Sequence, residues 1–409
     1  MKEFDAREFG AVGDGITLNT TALQSAIDAL GEGDVLVLAN GIYQTGTLAL
    51  KSHMTLRIEP DAELCGSRNI EHYRDCGFYH NEMKKTTSLL YALDAEDIHI
   101  TGGGRIQLSG DAFADFSSIG LPREIDRTTL APEHAVQCVV RMRKSGRPTQ
   151  PIFFNNCRNI RIDGVQIFNS PCWTLVFSNC DGVTVEKIFM DNHPRIPNND
   201  GIHCTASRNI VLRDSVLLCG DDCFAATCIT NWEGVCENIE ISDCLMSSRS
   251  AALRFGHLSS RVRNVCIRNV KVINSNRALI LFASDGGRVE NVSVEGVVAE
   301  TAIYAGYWWG KGEGFVLCTD NSNGEISGVT LKNCSFTEEN PSIISGEAGS
   351  VSGVRLEDCR FVYRKGDTHP YYYGKLDLQP NLPNLQPAPF QTGDLLYVRE
   401  GSCRDLVIQ

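Results

Sequence analysis

Several protein classes are excluded by what this chain lacks. No apolar run approaches the ~18 residues that would span a bilayer, so no membrane partner is expected. No basic stretch offsets the formal net charge of -12, which argues against a nucleic-acid surface. Closely paired cysteine doublets are missing, so no CxxC-type metal site is expected, and neither a metal nor another cofactor is anticipated. The start, Met1-Lys2-Glu3-Phe4-Asp5, lacks the apolar core of a signal peptide. Helical periodicity is almost absent as well, being confined to one short stretch near Thr20 to Leu30.

The chain has 409 residues, 42% hydrophobic and 22% charged, enough to bury a large core. Seventeen cysteines are an odd number for a disulfide framework. Many fall inside apolar strand patterns, as in Val265-Cys266-Ile267 and Val316-Leu317-Cys318. They read as small buried residues in a reducing cytoplasm.

A polar residue or glycine, followed by Ile or Val and then alternation, recurs along the chain. It appears as Asp97-Ile98-His99-Ile100, Asn159-Ile160-Arg161-Ile162 and Gly182-Val183-Thr184-Val185. It continues at Asn209-Ile210, Asn238-Ile239, Asn264-Val265, Asn291-Val292, Gly328-Val329 and Gly353-Val354. Most spacings lie near ~25 residues, too short for propeller blades of about 40–50. No helix intervenes between copies, which excludes βαβ units. The expectation is one all-β domain over 1–409, a right-handed parallel β-helix. Its N-terminal cap occupies 1–35, its rungs 36–363, and an irregular excursion with closing strands 364–409. The helix near Thr20 would cover the open end, with Leu23, Ala26, Ile27 and Leu30 on one face and Asn19, Thr20 or Thr21 as its cap.

Within the repeats stand Asn198-Asn199-Asp200 and, 21 residues later, Gly220-Asp221-Asp222-Cys223. One coil apart in a solenoid is roughly 4.8 Å, so three carboxylates would crowd one patch. Crowded like charges raise one another's pKa, which lets one carboxyl stay protonated beside an ionised neighbour. That pair of states is the equipment for hydrolysing a glycosidic bond. Calcium, which prefers hard oxygen ligands, competes for the same carboxylates.

At these motifs the chain resembles glycoside hydrolase family 28, the polygalacturonase family. The resemblance begins at Phe9-Gly10-Ala11-Val12-Gly13-Asp14-Gly15, passes through Val37 to Tyr43 and Leu48 to Ser52, and includes the aspartate motifs. It implies an inverting hydrolase of pectin-derived or related plant carbohydrate, and the changed recognition elements further along the chain favour cleavage from a chain end. Asp221 would be the general acid, Asp200 and Asp222 would hold and deprotonate the water, and Asn198 would support Asp200. The family's Gly-His-Gly element is replaced here by Ser247-Ser248-Arg249-Ser250-Ala251, with Phe255-Gly256-His257 close by. Its Arg-Ile-Lys element becomes Arg277-Ala278-Leu279, which keeps the arginine alone.

The expected substrate contacts are therefore Asn198, His203, Arg249, Arg254, His257 and Arg277. Arginine suits bidentate recognition of a carboxylate. Trp308 and Trp309, flanked by glycines, would stack on a sugar ring, with Lys311 or Glu313 adding polar contacts. Tyr371-Tyr372-Tyr373 is a second aromatic cluster. A polysaccharide lyase on the same fold and a non-catalytic carbohydrate-binding β-helix are the alternative functions.

Overall fold

The first residue of every repeat copy turns out to be a backbone device. Asp97, Asn159, Asn209, Asn238, Asn264 and Asn291 all adopt left-handed φ values of 53° to 57°, as do Gly182, Gly328 and Gly353 at 62° to 76°. Asn, Asp and Gly are the residues that tolerate this conformation. Each turns the chain into a strand, and the asparagine amides bond from one coil to the next. Asn238 Nδ2 donates to Asn209 Oδ1 at 2.9 Å, and Asn264 Nδ2 to Asn238 Oδ1 at 3.1 Å. At Gly182 a Cβ would come within 3.1 Å of the Asn159 amide oxygen.

A computed structural model describes residues 1–80, 84–121, 138–229, 233–304, 310–319, 323–366, 375–376, 386–387 and 393–409. Among these the chain winds into three long parallel sheets of 14, 12 and 11 strands. The repeat anchors stack in register in the 14-stranded sheet: Ile160 on Val183, Val183 on Ile210, Ile210 on Ile239, and Ile239 on Val265. Val292, Val329 and Val354 complete the column. All are buried in one continuous core, each fully buried aliphatic contributing about 1.5–3 kcal/mol. The parallel β-helix expected from the periodicity is the observed architecture.

Several details differ from expectation. The α-helix Thr20–Ala29 buries Leu23, Ala26 and Ile27 over the N-terminal end as foreseen, but Asn19 does not cap it. Instead, the Asn19 amide accepts from Val12 N–H and donates to the Val12 and Thr17 carbonyls, tying down the preceding loop. Strands Glu3–Asp5 and Asp14–Leu18 already belong to the coils. The C-terminal segments Leu396–Val398, Cys403–Arg404 and Val407–Ile408 do not pair with each other; each extends an existing sheet. Most of the Pro- and Tyr-rich stretch, including Tyr371 to Tyr373, lies outside the described residues. None of the seventeen cysteines forms a disulfide and most are buried. Cys266, expected in the core, instead faces outward on its strand between buried Val265 and Ile267 and is only half-buried.

The asparagine ladder gives a first prediction. Asn238→Ala removes both inter-coil bonds and places a Cβ-bearing residue without a compensating amide at φ 57°. It should lower stability by about 1–2 kcal/mol, read by chemical denaturation, whereas Asn238→Gly should lose less.

Candidate active site

Each coil passes from the 12-stranded sheet to the 11-stranded sheet through a corner, and the aspartate motifs occupy that corner on successive coils. Asp200 precedes the strand Ile202–Thr205, and Asp222 precedes Phe224–Thr227. Ile202 pairs with Phe224, so Asp200 and Asp222 hold equivalent places one coil apart. The next coils bring Ser248 to Ala251 and then Asn276 and Arg277 to the same corner.

All three carboxyls are withdrawn from water: Asp200 is 2% exposed, Asp221 8% and Asp222 0%. Burial, followed by the charges of Asp221 and Asp222, pushes the Asp200 carboxyl well above the usual range. Burial and the Asp222 charge do the same to Asp221, with Arg254 opposing. Arg254 Nη1 donates to Asp222 Oδ2 at 3.0 Å, and the Ala251 N–H donates to Asp222 Oδ1 at 3.0 Å. Asp221 accepts from the Asp222 N–H at 3.0 Å, and its carbonyl accepts from the Ser248 hydroxyl at 2.7 Å. A buried carboxyl held above the usual range thus stands beside one bonded at both oxygens, an asymmetry that suits acid/base chemistry.

The expected contacts divide into three groups. Arg254 and His203 do belong to the site, but behind the aspartates. His203 is 0% exposed and its Nδ1 lies 2.9 Å from Asp200 Oδ2, so it is not a groove-lining residue. Arg249 is half-buried at the corner, its guanidinium 4.0 Å from the Tyr304 ring centroid and Nη1 on the Asn274 carbonyl at 2.8 Å. His257 is half-buried beyond the strand Ala251–Phe255. Burial and the nearby Arg254 charge drive it down to about 3, so it is a neutral imidazole.

The second group has other duties. Asn198 does not face Asp200; its side-chain oxygen accepts from Arg147 Nη2 at 3.0 Å, while Arg147 Nη1 binds the Pro171 and Pro197 carbonyls. Arg277 is 0% exposed and forms a two-pronged pair with Glu313, both contacts 3.2 Å. Its fork is therefore occupied by an internal carboxylate. Lys311 is also fully buried, its Nζ on the Gly310 carbonyl at 2.8 Å. Neither meets a groove, because the segment carrying Lys311 and Glu313 packs as a wall against the Arg277 coil. The third group, Trp308 and Trp309, lies outside the described residues.

Reasoning from sequence missed Arg147, Trp173, Thr227 and Tyr304. Register arithmetic would have found Trp173: Leu175 pairs with Ile202, which puts Trp173 one coil before Asp200. Among the described residues, one cluster of three metal-ligating side chains lies within 4.8 Å: His53, Glu96 and Asp97, away from the aspartates. A groove of about 350 Å³ lined by Arg158, Asp181, Arg208 and Glu237 is also elsewhere, on the turns between the 11- and 14-stranded sheets.

The buried pair is testable. Arg277→Met strands the Glu313 carboxylate and should cost about 3–5 kcal/mol; adding Glu313→Leu should restore much of the loss in thermal denaturation.

Residues 135–369 match the family model described as glycosyl hydrolases family 28. A probable polygalacturonase of Vitis vinifera is 26% identical over 330 residues, 74% of this chain and 61% of the relative. An exo-poly-alpha-D-galacturonosidase of Dickeya chrysanthemi is 29% identical over 248 residues, 54% of this chain and 41% of the relative. The chain thus spans less than two thirds of the length of either. In fold it is similar to a hyperthermoactive exopolygalacturonase from Thermotoga maritima, with TM-score 0.69, 22% identity and 88% of each chain covered. Polygalacturonase from Erwinia carotovora gives TM-score 0.67 at 16% identity, covering 100% of this chain and 96% of its own. The family model covers more than half of the sequence and contains the three aspartates, so the chain belongs to the glycosyl hydrolases family 28.

Proposed function

We propose that this protein is an inverting glycoside hydrolase that removes sugar from the end of a pectin-derived or related plant oligosaccharide. The observation that carries the reading is the buried carboxyl of Asp221, kept up by the charge of Asp222, which Arg254 holds in place. Asp221 gives its proton to the glycosidic oxygen as the bond from that oxygen to the anomeric carbon breaks. Water, held by Asp200 and Asp222, forms the new bond from the opposite face and passes a proton to one of these carboxylates. The product carries the inverted anomeric configuration.

Arg249 is the cationic contact for an acidic sugar ring. Its guanidinium is stacked on Tyr304 and remains partly accessible, whereas the Arg277 fork is filled by Glu313. Action from a chain end is supported by the galacturonosidase relative and by the excursion between Gln107 and Ile152. Its described part leans on the loop before Asp200 through Arg147 and through the Val140 N–H, which donates to the Arg195 carbonyl. Seventeen cysteines, none of them in a disulfide, fit a reducing compartment, and the cytoplasm is the proposed location.

Product analysis by proton NMR on pectic and plant oligosaccharides tests the reaction. Wild type should release an inverted sugar, and Asp221→Asn should lose about 10²–10⁴-fold in kcat. Products bearing a new double bond would identify a lyase; no turnover on any oligosaccharide would leave a binding protein. Stability gives an independent check. With its folded pKa raised above 3.8, Asp221 keeps a proton in the folded state that the unfolded chain has already lost. Stability contributed at low pH is therefore lost as pH rises from about 3.8 through the folded value. Asp221→Asn should flatten that decline in Tm. Arg249→Ala should raise KM for an acidic oligosaccharide at least about tenfold, the scale of one hydrogen bond to a charged group, and leave its methyl ester nearly unaffected.

A further inference from the structure

His203 is fully buried, with a stacking partner on one face of its ring and a polar partner at each nitrogen. Its ring stacks on Trp173 with centroids 3.8 Å apart and planes inclined by 25°. Nδ1 meets Asp200 Oδ2 at 2.9 Å, and Nε2 meets the Thr227 hydroxyl at 3.0 Å. The strand positions explain the arrangement: Val176, His203 and Ala225 follow one another on successive coils, and Arg254 comes next. Ala225 is small, so Arg254 reaches back across it to Asp222. The two aspartates on equivalent corners thereby receive different partners. Asp222 has a guanidinium, which is always charged; Asp200 has an imidazole, which can gain or lose its charge.

We propose that His203 is a positioning residue for Asp200, which holds Oδ2 as an imidazolium and leaves Oδ1 to the attacking water. The proposal rests on the hydrolytic reading of Asp200 given above. Asp200 Oδ1 is buried and has no hydrogen-bond partner among the described residues, so a partner for it has to come from a molecule that enters the site. Thr227 permits the charged ring, because a hydroxyl can accept from Nε2–H. The surrounding charges act on the same pair: Asp221, Asp222 and Arg254 face Asp200, and the Cys172 and Cys219 thiols lie beside it. The Asp222 charge favours a cation on the ring, and the Arg254 charge opposes it. Burial and the neighbouring carboxyls push Asp200 up, and a charge on the ring opposes that push. In the proposed arrangement the shared proton sits on His203, which before the environment acts binds a proton about 2.6 units more tightly than an aspartate does.

The sign of the effect follows. Protonating Asp200 beside an imidazolium is opposed by the ring's positive charge, which keeps Asp200 ionised to lower pH. His203→Gln retains a donor for Oδ2 but carries no charge. It should move the acid limb of the kcat/KM profile to higher pH by about 1–3 units, the usual influence of one adjacent opposite charge. An acid limb that stays in place, or moves down, overturns the proposal even where kcat falls, since lost packing alone leaves the limb unchanged. A second measurement needs neither turnover nor that variant. In protein carrying ¹⁵N-histidine, one of the nine imidazoles should remain doubly protonated above neutral pH and become neutral there in Asp200→Asn. A ring that is neutral throughout the titration overturns the proposal, while absence of hydrolysis with an intact imidazolium signal refutes only the assigned reaction.

Discussion

Everything in this molecule depends on parallel coil-on-coil stacking in strict register. A parallel ladder repeats about every 4.8 Å, so whatever residue type recurs at a given place becomes a column. Apolar anchors make the core this way, and left-handed asparagines make a hydrogen-bonded seam outside it. The same rule makes the aspartate corner. Asp200 and Asp222 are neighbours because each precedes its strand by the same distance, and Ala251 and Arg277 extend that line. Chemistry is placed here by counting from a strand start.

Register brings the carboxyls together, and the residues behind them make them unlike. Asp222 is fixed at both oxygens by Arg254 and a backbone N–H. Asp221 is buried against that charge, and Asp200 leans on an imidazole clamped by an indole. Farther along the column, Arg277 and Glu313 pair in the interior. A buried ion pair is a weak source of stability and a strong penalty when broken. Its effect is to fix how the Arg277 coil meets the next one and to withdraw that arginine from recognition.

The fold was legible in the sequence because its signal is repeated: nine copies of one turn-and-strand pattern each predict the same geometry. The aspartates were legible for the same reason. The partners were not. His203 read as a groove residue, since nothing local shows that Trp173, thirty residues earlier, covers its face. Arg277 matched a family position, yet its role is decided by Glu313, which arrives on the following coil after an insertion. Sequence periodicity reports which residues share a column; it does not report which neighbour fills a side chain's reach. Asn19 shows the same limit at small scale, standing at a helix start while its amide serves the loop before it.

The coils also differ in how far apart their neighbours lie along the chain. Asp97 and Asn159 meet across 62 residues, whereas Asp181 and Arg208 meet across 27. Closing the longer loop costs about 0.7 kcal/mol more in chain entropy by the logarithmic rule alone, before any of its own residues are ordered. A solenoid zips from wherever its local stacking is cheapest. The coils from Ile160 onward, which include the aspartate corner, and the coil pair Asp34–Leu38 on Met54–Ile58, stacked across 20 residues, are both local units, and the 62-residue closure lies between them. The long excursion would then be ordered only when the two units join.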